Sequence, residues 1–230
     1  MPVYILNEDH RIFPDPCFAE IDGLLAVGGD LTPERLIEAY SRGIFPWYSD
    51  DSPILWWSPD PRLVLFPQEL KISRSLRQVI RRGEFEVTVD GAFGEVMTAC
   101  GLTRLENGEG TWITRDMLDA YCGLHELGIA HSVECRRGGE LVGGLYGVAM
   151  GAAFFGESMF STASNASKVA LCALTAVALD LGFSFIDCQM TTKHLMSMGA
   201  VPVPREDFMD MLTQAIKGVT YCGTWGAKGV

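Results

Sequence analysis

The stretch AHSVECRRGGELVGGLYGVAMGAAFFGES, residues 130–158, decides the fold. Short apolar runs are interrupted here by glycines at strand-like intervals, which predicts consecutive β-strands joined by glycine turns. Residues 164–182, SNASKVALCALTAVALDLG, predict a long helix that is apolar around most of its surface and therefore buried. A short apolar strand at 183–189 and a last helix at 205–218 follow. This order predicts an α+β fold around a mostly antiparallel sheet.

The first sixty residues have a different character, because they are dense in proline, glycine and tryptophan. Thr32 as N-cap, Pro33 at the first helical position and Gly43 as the stop predict one helix in this segment. Residues 44–67, which carry several prolines and three tryptophans, predict little regular structure. We therefore expect a small N-terminal domain, residues 1–62, followed by a larger domain, residues 63–230.

Composition excludes several classes of protein. Apolar residues make up 48% of the chain, which supports a packed core and argues against disorder. We expect no signal peptide and no membrane span, because the uncharged run Leu141–Gly156 is short and rich in glycine. Seven irregularly spaced cysteines predict free thiols in a reducing cytoplasm. The net charge of −11 disfavours nucleic-acid binding by the whole surface and favours basic partners.

Polar residues follow two of the predicted strands. Because strand residues alternate between faces, Asp187 and Gln189 are expected on one face and Cys188 on the other. The carboxylate and carboxamide either satisfy loop amides, as such residues often do at strand ends, or handle a substrate. Glu157 lies just after the apolar pair Phe154 and Phe155, separated from it by one glycine, and it either lies exposed or binds a cationic group.

A basic segment stands out in this acidic chain. Residues 73–83 predict a short helix, and residues 71–82 contain no acid. Helical spacing places four arginines on one face, which we call the basic face: Arg74, Arg77, Arg81 and Arg82. An ordinary solvated helix would mix the two signs of charge, so the basic face predicts phosphate binding.

A metal site is a weaker interpretation of another pattern. Cys122, His125, His131 and Cys135 have a spacing that zinc can use. However, the first two fall within a predicted helix and the last two within the next predicted strand. Core and surface positions explain all four residues, and we predict no metal.

The order of predicted elements resembles that of GNAT acyltransferases. Those enzymes bind the pyrophosphate of CoA with a loop at a helix N-terminus, and no such loop follows the strand at residues 154–156. We therefore expect an acyl donor that the protein binds through a group other than CoA. Trp47 and Trp112 lie in turn-rich segments, where tryptophan either packs in a core or stacks on a nucleic-acid base.

Several blocks of sequence together resemble the bacterial leucyl/phenylalanyl-tRNA–protein transferase family. They run in order over nearly the whole chain and include GLLAVGGDL (23–31), GIFPWYSDDSPILWWSPDPR (43–62), GTWITRDMLDAY (110–121), GESMFS (156–161) and FIDCQ (185–189). The resemblance implies transfer of Leu or Phe, less often Met, from aminoacyl-tRNA to proteins that begin with Arg or Lys, which makes a degradation signal. It also implies a small N-terminal domain ahead of a GNAT-like domain. We expect no cofactor, a cytoplasmic location and a monomer.

The resemblance also implies binding roles. Trp47 and Trp112 match family positions around the terminal adenosine of the tRNA. The basic face suits the phosphates of the acceptor stem, which it would contact without reading sequence. Four residues are implied as the lining of an apolar pocket for the transferred side chain: Leu145, Met159, Leu171 and Ile186. Where the family has phenylalanines on the long helix, this chain has Leu174 and Ala178, which alters the pocket's shape.

The reaction so implied is aminolysis of an ester, and it suggests roles for the polar residues. Gln189 would bind the incoming amine or the ester carbonyl, with Asp187 as its positioner or as a base. Glu157 would bind the cationic N-terminal residue, and Cys188 is not expected to act as a nucleophile. Two alternatives are an acyl-CoA-dependent GNAT N-acetyltransferase, which would bind CoA, and a noncatalytic tRNA-binding module.

Overall fold

The computed structural model describes residues 3–7, 12–106, 108 and 110–228. Its α-helices are α1 (Pro33–Ser41), α2 (Arg74–Arg81), α3 (Phe93–Glu106), α4 (Arg115–Glu126), α5 (Ala166–Asp180), α6 (Lys193–Ser197) and α7 (Arg205–Ala215). Its strands are β1 (Tyr4–Leu6), β2 (Leu24–Gly28), β3 (Phe45–Pro46), β4 (Leu55–Trp57), β5 (Arg62–Leu65), β6 (Glu86–Val89), β7 (Ala130–Arg137), β8 (Glu140–Met150), β9 (Ala153–Ser161), β10 (Phe185–Gln189) and β11 (Val201–Val203). None of the helices in these ranges is long and apolar enough to cross a membrane.

The strands form two sheets. The smaller sheet has the order β1-β2-β4-β3, and the larger has the order β11-β5-β10-β9-β8-β7-β6. All neighbours in the larger sheet are antiparallel except β9 and β10, which are parallel. The predicted meander is therefore β7, β8 and β9. The α+β class, with a small N-terminal part ahead of a larger sheet domain, is confirmed.

Helices cover both faces of the larger sheet. Alternate residues of β8 reach opposite cores: Leu145 and Ala149 pack with α5, whereas Tyr146 and Val148 pack with α3 and α4. The apolar circumference of α5 is explained by this position, because its buried residues include Val169, Leu171, Leu174 and Ala178.

The N-terminal part is more regular than its composition predicts. Helix α1 begins after Thr32 and ends before Gly43, as expected. The expectation of little regular structure after residue 44 is wrong, because two short strands, β3 and β4, lie there. The apolar run RLVLF, residues 62–66, itself predicts a strand, and β5 confirms it. Tyr40 of α1 contacts the rings of Tyr121 and Phe155, so both parts of the chain contribute to one core. The division into domains 1–62 and 63–230 stays a prediction.

Strands β9 and β10 each carry a bulge where their mutual pairing ends. That pairing runs as far as Phe155 and Asp187. In β9 the extra residue is Glu157, because Tyr146 of β8 pairs with Ser158 and the next residue pairs with Gly156. In β10 the extra residue is Cys188, since residues 187 and 189 pair with adjacent residues of β5. Bulges redirect side chains, and these two do so at the same level of the sheet.

Candidate active site

A cavity of about 430 Å³ opens beside the two bulges. It lies against the ends of β9 and β10, with α5 and α6 on one side and the loop after β3 on another. Its lining has an apolar wall, a polar end and a pair of tryptophans. The lining includes Trp47, Arg104, Trp112, Leu145, Tyr146, Glu157, Ser158, Met159, Leu171, Leu174, Ile186, Cys188, Gln189 and His194.

Glu157 and Gln189 meet at the polar end. The Nε2 of Gln189 donates to Oε1 of Glu157 over 2.7 Å. The hydroxyl of Tyr121 donates to Oε2 over 3.3 Å and is itself hydrogen-bonded to the hydroxyl of Tyr40. Each residue sits at or beside a bulge, so the two interruptions of the sheet bring this pair together.

Burial sets the charge of Glu157, whose exposed fraction is 8%. Loss of solvent raises its pKa to about 7, and the nearby Asp187 charge adds to this rise, while hydrogen bonds from Tyr40, Gln189 and Tyr121 oppose it. The carboxyl group therefore changes charge near neutral pH. An incoming cation would favour its ionised form.

Asp187 is held in a buried ion pair. Nε of Arg62 donates to its Oδ1 over 2.9 Å, and Nη2 donates to Oδ2 over 2.7 Å. Both side chains are almost completely buried. Arg62 also donates to the carbonyl of Gly43 and lies over the rings of Phe45 and Phe208. This ion pair links β5, β10 and the N-terminal part of the chain.

The predicted common face of Asp187 and Gln189 is wrong. Gln189 lines the cavity, whereas Asp187 is not among the described residues that line it. The bulge at Cys188 and the positive φ of 57° at Gln189 shift the alternation by one residue. Asp187 instead contacts the backbone of Gln189, because its Oδ1 accepts a hydrogen bond from the Gln189 backbone N–H over 2.8 Å.

The bulge also corrects the placement of Cys188. This residue lines the cavity, as do Ile186 and Gln189, although alternation placed it away from the site. Burial raises the pKa of its thiol well above the usual range, with Asp187 adding to the effect. The side chain is thus kept as a neutral thiol, and the expectation that it is not a nucleophile stays a prediction.

Two tryptophans form the aromatic part of the lining. The rings of Trp47 and Trp112 meet edge to face with centroids 5.7 Å apart. Trp57 packs against Trp47 and donates its indole N–H to the Trp47 carbonyl over 2.7 Å. The Arg104 guanidinium lies 3.8 Å from the centre of the Trp112 ring. The two predicted tryptophans are therefore brought together on the cavity with a cation beside them.

The apolar wall contains all four of the predicted lining residues, Leu145, Met159, Leu171 and Ile186. Leu174 lines the cavity with them. Ala178 is buried one turn further along α5 and does not belong to the described lining. Of the two α5 positions that the resemblance singled out, Leu174 is thus the one in the described lining.

Sequence comparison places these features in a family. The profile described as "Leucyl/phenylalanyl-tRNA protein transferase" matches residues 64–213, and that of the corresponding N-terminal domain matches residues 29–60. A protein from Desulfatibacillum aliphaticivorans named "Leucyl/phenylalanyl-tRNA--protein transferase" is 56% identical over 228 residues, covering 99% of this chain and 97% of that protein. The chain belongs to the leucyl/phenylalanyl-tRNA–protein transferase family. A protein of the same name from Desulforapulum autotrophicum is 52% identical over 225 residues, which cover 98% of this chain and 98% of that protein.

Solved structures of other proteins are much less similar to this chain in sequence and in fold. The C-terminal domain of a putative lysylphosphatidylglycerol synthetase from Agrobacterium fabrum is 11% identical, covers 84% of this chain and 61% of that chain, and has a TM-score of 0.42. A GCN5-related N-acetyltransferase from Kribbella flavida is also 11% identical, covers 75% and 61%, and has a TM-score of 0.37. These scores are too low to support an argument about function.

The basic face lies on α2 and at its end, and all four of its arginines are exposed. Arg82 has an acidic neighbour, Glu84, at 3.7 Å. Leu76, on the opposite side of α2, packs into the core that contains α5. The arginines do not belong to the described lining of the cavity. In this member of the family, a charged outer surface is thus separate from the polar end where Glu157 lies.

The sequence analysis missed three residues of the site region: Arg62, Tyr40 and Tyr121. A signal for the first existed, because an arginine at the start of an apolar strand needs a buried counter-ion, and Asp187 also follows an apolar strand. The tyrosines had no comparable signal. Each of them falls on an apolar helix face, of α1 and of α4, where packing alone accounts for a tyrosine.

The zinc-like pattern has other contacts in the structure. His131 pairs with Asp90 over 3.0 Å, His125 contacts the Ala130 carbonyl, and Cys135 is buried. Within the described ranges, no three His, Cys, Asp or Glu residues are grouped closely enough to hold a metal ion.

Proposed function

We propose that this protein transfers Leu or Phe, and less often Met, from aminoacyl-tRNA to the α-amine of proteins that begin with Arg or Lys. The product would carry a new N-terminal residue that acts as a degradation signal. Family membership supports the class of reaction. The names of the relatives supply leucyl- and phenylalanyl-tRNA as donors and protein as acceptor.

The observation that carries the proposal is that one cavity combines three kinds of wall. Its apolar side suits a Leu or Phe side chain, and Met159 adds an adaptable surface there. The tryptophan pair suits a base, because stacking on an indole does not depend on the base edges. The buried Glu157 suits the cation of an N-terminal Arg or Lys. Donor and acceptor would therefore meet at the polar end.

In the proposed reaction, the neutral α-amine attacks the carbonyl carbon of the aminoacyl ester. A C–N bond forms, the bond from that carbon to the tRNA ribose oxygen breaks, and the amine proton ends on the released ribose hydroxyl. A reference pKa of about 7.7–8.0 leaves part of the amine neutral at physiological pH. The protein's task is then to align amine and ester and to stabilise the transition state.

Gln189 is the proposed catalytic contact for the amine. Its Nε2 is engaged by Glu157, which leaves its Oε1 as an acceptor for an amine N–H. The Asp187 contacts favour positioning over direct proton transfer, because this carboxylate pairs with Arg62 and fixes the Gln189 backbone. Glu157 accepts from Gln189 on Oε1 and from Tyr121 on Oε2, and Tyr40 also interacts with it. A carboxylate has about four acceptor sites, so one remains for a cation.

The remaining assignments concern partners and organisation. The basic face would bind acceptor-stem phosphates, while the rest of the acidic surface repels bulk nucleic acid. We also propose domains at 1–62 and 63–230, a monomeric enzyme without a cofactor, and a cytoplasmic location, which suits its free thiols.

A direct test combines the purified protein with leucyl-tRNA and a peptide that begins with Arg, followed by mass spectrometry. The expected result is a mass gain of one leucyl residue at the N-terminus. A peptide with an acetylated N-terminus should gain nothing, because its amine cannot attack. Acetyl transfer from acetyl-CoA, or tRNA binding without any mass gain, would instead support one of the two alternative functions.

A further inference from the structure

Tyr146 lines the cavity and has a buried hydroxyl group. The residue is completely buried, and its hydroxyl has no hydrogen-bond partner among the residues that the structure describes. It nevertheless belongs to the cavity lining. A buried hydroxyl without a partner is costly, so such a group in a native protein needs an explanation.

The position of Tyr146 relates this hydroxyl to Glu157. Tyr146 pairs with Ser158 across β8 and β9, directly beside the bulge that carries Glu157. Edge contacts to Phe93 and Tyr121, with ring centroids 5.8 and 6.0 Å away, fix the ring. Packing thus fixes the Tyr146 ring beside the bulge that carries Glu157, and no described hydrogen bond holds its hydroxyl.

The proposed reaction requires a donor at this end of the cavity. The ester carbonyl gains negative charge as the amine attacks, and hydrogen-bond donors stabilise that charge. The Nε2 of Gln189 uses one of its two N–H groups on Glu157, and ionised Glu157 can only accept. The Tyr146 hydroxyl is a further donor, which no described residue engages.

The Tyr146 hydroxyl retains its proton at neutral pH. Burial raises its pKa well above the usual range, and the charge of Glu157 adds to the effect. A neutral O–H group in a site shielded from water is a suitable donor to an oxyanion. Ser158 and His194 also place polar atoms without a described partner on the cavity wall, but neither residue is completely buried.

We infer that Tyr146 is a further catalytic residue, whose hydroxyl donates a hydrogen bond to the carbonyl oxygen of the aminoacyl ester as it becomes an oxyanion. This inference rests on the proposed transferase function. It assigns the three polar groups different tasks: Glu157 binds the acceptor, Gln189 orients its amine, and Tyr146 stabilises the charge that develops on the donor.

Tyr146→Phe tests the assignment, because it removes the hydroxyl and keeps the ring. Transfer from leucyl-tRNA should lose on the order of 10²-fold in kcat, as for removal of one oxyanion donor. The KM for the Arg-starting peptide should stay within about twofold and the melting temperature should not fall, because no described protein partner is lost. Tyr48→Phe is the matched control: Tyr48 bonds Thr114 and lies outside the described lining, so kcat should be unchanged.

The possible results distinguish a failure of the Tyr146 assignment from a failure of the proposed transferase function. Absence of transfer by the unaltered protein would refute the proposed function. Active wild type together with a Tyr146→Phe loss below about threefold would refute the Tyr146 assignment alone. A rise in peptide KM with unchanged kcat would also overturn it, since that pattern belongs to a residue that merely positions Glu157. A large loss in Ser158→Ala, without one in Tyr146→Phe, would assign the donor to Ser158.

Discussion

The pair formed by Gln189 and Glu157 depends on a second, buried pair of residues. Gln189 and Glu157 face the cavity, while Asp187 and Arg62 lie buried on the other side of β10. Asp187 connects the two pairs, because one of its oxygens accepts from both Arg62 and the Gln189 backbone. A substitution at Asp187 therefore acts on folding and on the site together, whereas one at Gln189 acts mainly on the site.

Asp187→Asn should lower the free energy of unfolding by roughly 3–5 kcal/mol, because Arg62 would keep a buried charge without its partner. Gln189→Ala should change it by about 1 kcal/mol and still strongly reduce transfer. Urea unfolding and the leucyl-transfer assay measure the two effects. Wild-type stability in Asp187→Asn would contradict the structural role of the ion pair, and normal turnover in Gln189→Ala would contradict the catalytic role of Gln189.

Glu157 gives the site a dependence on pH. Its pKa is raised to about 7, so the ionised form is present above that pH and is lost as pH falls through it. The affinity for an Arg-starting peptide should thus weaken below about pH 7, although the peptide itself only gains positive charge there. Competition binding across pH 5.5–8.5 measures this trend, in a range chosen to bracket that pKa. Glu157→Gln should bind weakly throughout, and a pH-dependent affinity in that variant would assign the titration to another group.

The elements of the larger sheet differ in how far sequence alone predicts them. The meander and α5 follow from glycine spacing and from a long apolar run, and the structure confirms both. The bulges at Glu157 and Cys188 do not follow, because an extra residue in a strand is defined by its partner strand. This is why strand alternation gave the wrong face for Asp187 and Gln189. The four apolar residues that the resemblance implied do line the cavity, and their binding role stays a prediction.

The sequence did not predict the N-terminal sheet, for a related reason. Its strands are very short, and β3 includes Pro46, so neither alternation nor β-propensity has enough residues to give a signal. Trp56 is completely buried and donates its indole N–H to the Gly28 carbonyl of a neighbouring strand. The regular structure there depends on tertiary contacts that the local sequence does not show.

Helix α2 has exposed arginines that its own packing does not require. Leu76 holds the helix against the core, and we propose that the arginines bind a partner with phosphates. Arg77→Ala with Arg81→Ala should weaken charged-tRNA binding and reduce the salt dependence of that binding, by a slope of about one for each arginine. Filter binding at several salt concentrations measures both, and Lys217→Ala on the exposed end of α7 is the control. An unchanged slope in the double variant would exclude the basic face from tRNA binding.

The whole molecule is acidic apart from one basic segment. The net charge of the chain is −11, and residues 71–82 contain five basic residues and no acid. A basic protein terminus and an RNA phosphate backbone would therefore be attracted to different regions. The cavity lies between strands of the larger sheet and the loop after β3, so both parts of the chain contribute to it.

The shared core predicts how the two parts depend on each other. Tyr40 and Trp56 belong to the same buried cluster as Tyr121 and Phe155, and Arg62 neutralises Asp187. Residues 63–230 alone would expose that cluster and leave the Asp187 carboxylate buried without its partner. We expect this fragment to lack a cooperative thermal transition by circular dichroism and to have no transfer activity, because both the apolar burial and the ion pair are lost. Co-expression with residues 1–62 should restore some of both. A cooperative fold and full transfer by the fragment alone would show instead that the larger domain is independent of the N-terminal part.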